Sequence, residues 1–293
     1  MSAVSDQVRK MFGEGDAARD AGLKTPKNVE RFDNIVYSRN KTWNVLDVYR
    51  PKAKKGKLPV IISVHGGGWV YGDKEVYQFY CMSLAQRGFA VVNFTYRLAP
   101  EYKYPSSLED TNSVVKWVLK NAEEYGLDTG NVFAVGDSAG AHNLGLYADI
   151  LTNPEYAKNY KFKTPKNFRF NAIALNCGAF RIDLGKKEDL TTMLMGDYLP
   201  NKGTKEELKL ISVADHMTEK FPPVFVMTAV DDFLKDQPAL ILPLLMKYEI
   251  PHLFRCYGDK ENRLAHVFHC NVRLKDAKIC NDDECAFFRT FIK

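Results

Sequence analysis

The chain has 293 residues, of which 45% are hydrophobic and 26% are charged, and this balance is typical of a folded globular protein rather than a disordered or fibrous one. Its net charge of +5 is small and scattered, which argues against nucleic acid as a partner. No apolar stretch approaches the roughly 20 residues that cross a bilayer, and the N-terminus lacks the apolar block of a secretory signal. We therefore expect no membrane partner and a cytoplasmic location.

Six cysteines show no Cys-x-x-Cys spacing of the kind that binds metals. Several of them fall in segments that read as helix or strand, so we expect free thiols in a reducing compartment and neither a metal nor an organic cofactor. Chains of this length with an α/β pattern commonly fold around one large sheet, which predicts a single domain over residues 1–293.

The first twenty residues place Val4, Val8, Met11 and Phe12 at helical spacing, which predicts a short amphipathic helix. The apolar stripe is small, so packing on the body of the protein is favoured over anchorage at a membrane surface. Two β-rich runs follow at residues 31–38 and 42–49, and the short link between them indicates a hairpin.

From there, apolar strand-like runs mostly alternate with helical segments such as residues 106–125 and 233–248. Continuous apolar runs are typical of parallel strands covered by helices on both faces, so the pattern predicts an α/β fold with a mostly parallel sheet. The segment 181–220 breaks the alternation, and a connection of this length indicates a lid or a functional insertion. The predicted strands are residues 58–64, 89–95, 131–135, 170–175, 224–230 and 252–257.

A G-x-S-x-G motif runs from Gly136 to Gly140, directly after one predicted strand and directly before a predicted helix. Small residues on both sides of Ser138 allow a tight turn that lifts its hydroxyl above the sheet edge. The helix that begins after the serine also stabilises developing negative charge. The motif therefore predicts Ser138 as a nucleophile.

A second glycine motif, His65-Gly66-Gly67-Gly68-Trp69, ends the strand at residues 58–64. Acyl transfer needs amide N–H groups aimed at the oxygen that becomes negative, and consecutive glycines let the backbone approach that closely. We expect the amides of Gly67 and Gly68, together with that of Ala139, to form this oxyanion hole. His65 is expected to order the loop rather than to act as a base.

A serine nucleophile needs a base and an acid that orients the base. Asp231 and Asp232 end the strand at residues 224–230, and His266 and His269 follow the last strand, which fits the chain order Ser, Asp, His. The polar loop before His266 favours it over His269, but the residues alone leave both pairs open. The remaining histidines, at positions 142, 216 and 252, suit packing or the surface better than catalysis.

These motifs resemble those of the hormone-sensitive-lipase-like group of esterases. The resemblance covers roughly residues 58 to 270 and implies an α/β-hydrolase fold, with Asp232 as the acid and His266 as the base. It also implies a small cap over the site, formed by about residues 1–25 and 181–220. Its further signatures are Tyr96-Arg97-Leu98-Ala99-Pro100-Glu101 with Pro105 and Asp110, Asp232-Phe233-Leu234-Lys235-Asp236, and His266-Val267-Phe268.

The chain departs from that family after the serine motif, where Ala141-His142 replaces the frequent Gly-Asn and narrows the space beside the nucleophile. We therefore expect His142, together with Trp69, to contact the substrate. The motifs predict a serine carboxylesterase acting on small-molecule esters with short acyl groups, acetyl to hexanoyl, with acetylated sugars among the alcohol partners. An amidase acting on formylated amines is an alternative, a non-catalytic receptor is disfavoured because His266 is present, and a homodimer is left open.

Overall fold

The computed structural model describes residues 2–293 and contains one eight-stranded sheet. Its spatial order is β1-β2-β4-β3-β5-β6-β7-β8; β1 and β2 pair antiparallel, as do β2 and β4, and every other neighbouring pair is parallel. The strands are β1 (Val29–Val36), β2 (Val45–Pro51), β3 (Leu58–Val64), β4 (Ala90–Phe94), β5 (Leu127–Asp137), β6 (Ala172–Asn176), β7 (Val224–Ala229) and β8 (His252–Tyr257).

Helices cover both faces of this sheet, and a short 3-10 helix occupies Phe268–Cys270. The α-helices are α1 (Ala3–Asp20), α2 (Lys74–Gln86), α3 (Ser106–Lys120), α4 (Ala122–Tyr125), α5 (Ala139–Thr152), α6 (Pro154–Ala157), α7 (Leu190–Tyr198), α8 (Lys205–Leu210), α9 (Val213–His216), α10 (Pro238–Lys247) and α11 (Lys275–Arg289).

Two hydrophobic cores lie on opposite sides of the sheet because successive side chains of a strand point to opposite faces. In β3, Val60 and Ile62 join the core that contains residues of α3, α5 and α10. Ile61, between them, joins the core that contains residues of α2 and α11. Six of the seven β3 residues are buried, which explains why this strand reads as one apolar run. The predicted α/β fold with helices on both faces is confirmed.

Several element boundaries differ from the sequence prediction; β5, for example, spans residues 127–137 where the sequence predicted 131–135. The hairpin is wider, because β2 begins only at Val45 and residues 37–44 form the connection. The helix predicted at residues 106–125 is interrupted at Asn121, and Gly126 ends its second part in the left-handed conformation. The helix predicted at 233–248 begins at Pro238, since proline suits the first turn of a helix, and it keeps a second proline, Pro243, in its interior.

The segment 181–220 contains three short helices, α7, α8 and α9. The N-terminal helix α1 buries Val8 and leaves Met11 52% exposed. Arg9 ties α1 to the body: its guanidinium donates to the carbonyl oxygens of Val70 and Ala99 and pairs with Glu101. All six cysteines are free, and five of them are buried.

Candidate active site

Ser138 stands at the sharp turn between β5 and α5, with φ 52° and ψ −121°. A positive φ is uncommon for a residue with a side chain and marks backbone strain held by its surroundings. Both flanking glycines are required here. A Cβ on Gly136 would lie 2.6 Å from the carbonyl oxygen of Gly140, and one on Gly140 would lie 2.1 Å from that of Val64. The serine therefore sits on a turn that tolerates only glycine at these two positions.

The side chains of Asp232 and His266 form a hydrogen-bonded pair, with 2.7 Å between Oδ1 and Nδ1. The carboxylate also accepts hydrogen bonds from the Leu234 amide, at 2.8 Å, and from the Thr228 hydroxyl, at 2.9 Å. Burial by itself would raise the pKa of Asp232, but the hydrogen bond and charge of His266, with the Leu234 amide, hold that pKa below its ordinary value. The carboxylate is thus kept ionised, where it can orient the imidazole and stabilise its protonated form.

The alternative acid and base, Asp231 and His269, are not part of this hydrogen-bonded pair. Asp231 forms an ion pair with Arg263 at the surface. His269 is fully buried, its Nδ1 atom has no partner within residues 2–293, and burial lowers its pKa to about 3. The structure therefore brings Asp232 and His266 together, and places Asp231 and His269 away from them.

Ser138 and His266 line the same pocket, which has a volume of about 600 Å³. No hydrogen bond joins their two side chains in the described part of the chain, residues 2–293. Such catalytic contacts are often loose without substrate and tighten when it binds. The Phe233 ring lies 4.3 Å from the His266 ring, centroid to centroid, and is 75% exposed at the rim of the pocket.

The three expected oxyanion donors also border the pocket. Gly67 and Gly68 both have positive φ, at 117° and 59°, and Ala139 is the first residue of α5. None of their three amide groups donates to a protein acceptor anywhere in residues 2–293. Free N–H groups beside a nucleophile are suited to stabilising an oxyanion.

Buried aromatic residues support the glycine loop. The His65 ring stacks on Tyr96 with 3.9 Å between centroids, and burial lowers the pKa of His65 to about 4. The Tyr77 hydroxyl accepts from the Gly66 amide at 3.0 Å and donates to Asp137 at 2.6 Å. Sequence reasoning missed Tyr77 because it lies on α2, eleven residues beyond Gly66, with no motif of its own.

Of the two residues expected to contact the substrate, Trp69 lines the pocket and His142 does not. His142 is buried behind Trp69, whose indole N–H donates to the His142 Nδ1 atom at 3.1 Å. The His142 Nε2–H donates to the carbonyl oxygen of Ile211 at 2.7 Å, and burial lowers the pKa of His142 to about 4. Both ring nitrogens of His142 are thus hydrogen-bonded within the protein, and the ring holds the Trp69 indole in place.

Two groups of three side chains bring potential metal-ligand atoms within 4.8 Å of one another. One group contains Asp232 and His266 with Cys177, so a cation there would compete with the proton transfer to which that pair is suited. The other group, Asp137, His269 and Cys270, is wholly buried.

The pocket walls differ in chemistry from one side to the other. The segment 181–220 and the start of the β7–α10 connection supply mostly apolar side chains, among them Ile182, Leu190, Leu194 and Leu234. On the polar side, helices α1 and α2, the glycine loop and the end of β5 supply Asp16, Arg19, Tyr71, Tyr77 and Asp137.

The sheet order, the strained serine turn and the Asp–His pair are those of an α/β hydrolase. Esterase B from Lactobacillus rhamnosis has the same fold, with a TM-score of 0.87, 23% identity and coverage of 99% of this chain and 95% of that one. The chain belongs to the BD-FAE family, whose model matches residues 46–236. The resemblance to hormone-sensitive-lipase-like esterases is thereby confirmed.

Two curated relatives show how far the similarity extends. Versiconal hemiacetal acetate esterase of Dothistroma septosporum is 39% identical over 168 residues, which is 55% of this chain and 48% of that protein. Carboxylesterase NlhH of Mycobacterium tuberculosis is 28% identical over 207 residues, 68% of this chain and 64% of that one. The matches thus span about half to two thirds of these relatives. None of the helices within residues 2–293 is both long and apolar enough to span a bilayer.

Proposed function

We propose that this chain is a serine carboxylesterase that cleaves a carboxylic ester through an acyl-serine intermediate. One observation carries the proposal: a serine at a strained strand-to-helix turn shares a pocket with a histidine that is hydrogen-bonded to a buried carboxylate. Both curated relatives described above are named as esterases, which agrees with the proposal.

In the proposed reaction, the Ser138 hydroxyl attacks the ester carbonyl carbon while the Nε2 atom of His266 takes the hydroxyl proton. Asp232 accepts from the Nδ1–H of His266, which fixes the tautomer and stabilises the imidazolium. The carbonyl oxygen becomes negative and is held by the amides of Gly67, Gly68 and Ala139. The C–O bond to the alcohol then breaks, and His266 returns the proton to the leaving oxygen.

Hydrolysis of the intermediate repeats these steps with water. Water attacks the acyl-serine carbonyl, His266 takes its proton, and the acid leaves as the Ser138 hydroxyl is restored. Besides the ester and water, neither half of this reaction needs a further reactant to balance.

We infer a short acyl group, acetyl to hexanoyl, with acetylated sugars among the candidate alcohols. The Cδ1 atom of Leu194 lies 3.3 Å from where a Cβ of Gly68 would stand, so the 181–220 segment packs close to the oxyanion loop and limits the space beside it. We also propose that residues 1–293 form one domain, in which about 1–25 and 181–220 act as the cap. Both cap segments contribute side chains to the pocket, Phe12 and Leu194 among them.

The decisive experiment measures a series of 4-nitrophenyl esters, from acetate to dodecanoate, on the wild type and on Ser138→Ala. We expect the variant to lose kcat by roughly 10⁴-fold or more, because the nucleophile is absent. We also expect kcat/KM of the wild type to fall beyond hexanoate. Matching 4-nitroanilides are measured in parallel.

Equal rates in the two proteins would overturn the serine mechanism. Faster turnover of the anilides than of the esters would replace the esterase proposal with an amidase. A maximum at dodecanoate would contradict the short acyl group.

A further inference from the structure

One side of the pocket is acidic and aromatic, and we refer to Asp16, Asp137, Phe12, Tyr71 and Tyr77 as the acidic wall. All five residues border the pocket that also contains Ser138 and His266. Asp16 lies on α1 and Asp137 directly precedes the nucleophile, so the acidic wall reaches from the N-terminal helix to the reacting group. The proposed reaction uses neither carboxyl group.

The hydrogen-bond donors of the acidic wall are already occupied. The Tyr71 hydroxyl donates to Asp16 at 2.9 Å, and the Tyr77 hydroxyl donates to Asp137 at 2.6 Å. Asp137 is only 2% exposed, and its other carboxyl oxygen has no donor in the part of the chain from residue 2 to 293. The wall therefore presents acceptors and ring faces to the pocket, but few donors.

The charges around Asp16 leave an excess of one negative unit. Arg19 pairs with Asp16 at 2.7 Å and with Asp20 at 2.6 Å, so these two carboxylates share one guanidinium. Asp73 adds a third negative charge near Asp16, and Arg273, which donates to the carbonyl oxygens of Arg19 and Ala21, adds a second positive one. Farther out on the pocket wall, Arg181 and Asp183 lie 3.6 Å apart and offset each other. A cation that enters the pocket thus meets a net negative field near Asp16.

A positively charged amine matches the charge and the hydrogen-bond acceptors of the acidic wall better than a polyol does. Ammonium groups interact favourably with carboxylates and with the faces of aromatic rings. Sugar hydroxyls need donors as well as acceptors, and the donors of the acidic wall are used internally. Because we propose a short acyl group, the half of the ester that reaches this wall is the alcohol.

We propose that the enzyme prefers esters whose alcohol carries a protonated or quaternary amine, and that Asp16 is the residue that recognises this charge. The inference rests on the proposed esterase activity. It adds a substrate class, cationic amino-alcohol esters, and a specificity-determining residue outside the triad.

The test compares two substrates of nearly the same shape, acetylcholine and its neutral carbon analogue 3,3-dimethylbutyl acetate. Each kcat/KM is divided by the rate of alkaline hydrolysis of the same ester, so that the intrinsic reactivity of the leaving group cancels. We expect the wild type to favour the cation by about tenfold. In Asp16→Asn this ratio should fall toward one.

Glu14→Gln is the matched control, because Glu14 is exposed on the same helix as Asp16 and does not line the pocket. We expect this variant to keep the cation preference. Since both esters are measured on the same preparation, a loss of folded protein cancels from each ratio. A second comparison needs no variant: choline should inhibit hydrolysis of 4-nitrophenyl acetate about tenfold more strongly than 3,3-dimethylbutan-1-ol does.

A wild-type ratio of one or less, or equal inhibition by the two alcohols, would overturn the cationic substrate class. An unchanged ratio in Asp16→Asn would overturn the role of Asp16. Failure of the esterase proposal gives a different result, because the wild type would then hydrolyse neither acetate faster than Ser138→Ala does.

Discussion

The buried carboxylate of Asp232 accepts three hydrogen bonds, from Thr228, Leu234 and His266. An amide in its place can donate to the Nδ1 atom of His266 and would then fix the imidazole in the tautomer that cannot take the serine proton. We expect Asp232→Asn to lower kcat by about 10³- to 10⁴-fold while the protein stays folded. Steady-state kinetics with 4-nitrophenyl acetate and circular dichroism check this.

The adjacent Asp231 provides the control for that variant, because it pairs with Arg263 at the surface. We expect Asp231→Asn to change kcat by less than about twofold, since exposed ion pairs contribute little. A similar loss of activity in both variants would contradict the assignment of Asp232 as the acid.

Gly67 has φ 117°, and a Cβ there would lie 2.1 Å from the carbonyl oxygen of Tyr71. Gly67→Ala must therefore shift the oxyanion loop, and we expect kcat to fall by about 10²- to 10³-fold. In contrast, a Cβ on Gly196 meets no atom within 4 Å, so Gly196→Ala should keep its activity. Kinetics on the pair measure the effect, and equal activity in both would exclude a role of the Gly67 backbone in the reaction.

At the residue scale, the sequence is informative where chemistry depends on local backbone. The glycines around Ser138 and in the loop after β3 have local reasons to be glycine, and the structure shows the close contacts that require them. The environment of His142 could not be predicted in this way. Its Nε2–H donates to Ile211, 69 residues further along, so its orientation depends on a segment whose position the sequence does not reveal.

Helix α1 forms part of the pocket wall, yet Ser5 and Val8 are its only buried residues among those described. Hydrogen bonds and ion pairs therefore contribute much of its attachment, above all those of Arg9 to Val70, Ala99 and Glu101. We expect Arg9→Ala to weaken the docking of α1 by about 1 kcal/mol, because hydrogen bonds to a charged group are lost in a partly exposed setting.

Amide hydrogen exchange in α1 measures this weakening, and KM should rise as the pocket wall becomes mobile. Lys10→Ala is the control, because Lys10 is exposed on the same helix. Unchanged exchange in Arg9→Ala would mean that α1 is held by its apolar contacts instead.

At the element scale, strands covered on both faces were predictable and their connections were less so. The run at residues 58–64 coincides with β3. Because both faces of this strand are buried, nearly all of its residues are apolar and the run is easy to recognise in the sequence. The interruption at Asn121 and the late start of α10 depend on single residues that end or begin a helix. Periodicity does not detect such points.

In the whole molecule, the core that contains residues of α2 and α11 also contains a buried acid, Glu284, which Asn176 links to the backbone of Ser138. The Ser138 amide donates to the carbonyl oxygen of Asn176, and the Asn176 side chain donates to Glu284 at 2.6 Å. Burial raises the pKa of Glu284 to about 7. The unfolded chain ionises this group near its ordinary value of 4.5, so the folded state binds its proton more tightly.

The stability that this neutral carboxyl provides is therefore fully present below about pH 4.5 and is lost as the pH rises through about 7. We expect Glu284→Gln, which stays neutral, to gain stability relative to the wild type between these values, by up to about 3 kcal/mol. Urea unfolding at about pH 5 and pH 8 measures the difference. Asp282→Asn, at an exposed site on the same helix, should show no such trend.

A pH-independent difference between the wild type and Glu284→Gln would contradict the buried neutral carboxyl. Sequence periodicity could not reveal this group, because a glutamate within an amphipathic helix is normally assigned to its solvent face. The contact becomes visible only in three dimensions, where Glu284 of α11 accepts hydrogen bonds from Asn176 and Tyr80.

Two hydrogen bonds join three separate stretches of chain: the Trp69 indole donates to the His142 imidazole, which donates to the carbonyl oxygen of Ile211. Trp69 belongs to the glycine loop after β3, His142 to α5, and Ile211 to the segment 181–220. A segment 181–220 taken from a homologue with another residue at position 142 would lose the hydrogen bonds that fix its position relative to this loop. Position 142 and the segment 181–220 are therefore best exchanged together when this scaffold is recombined.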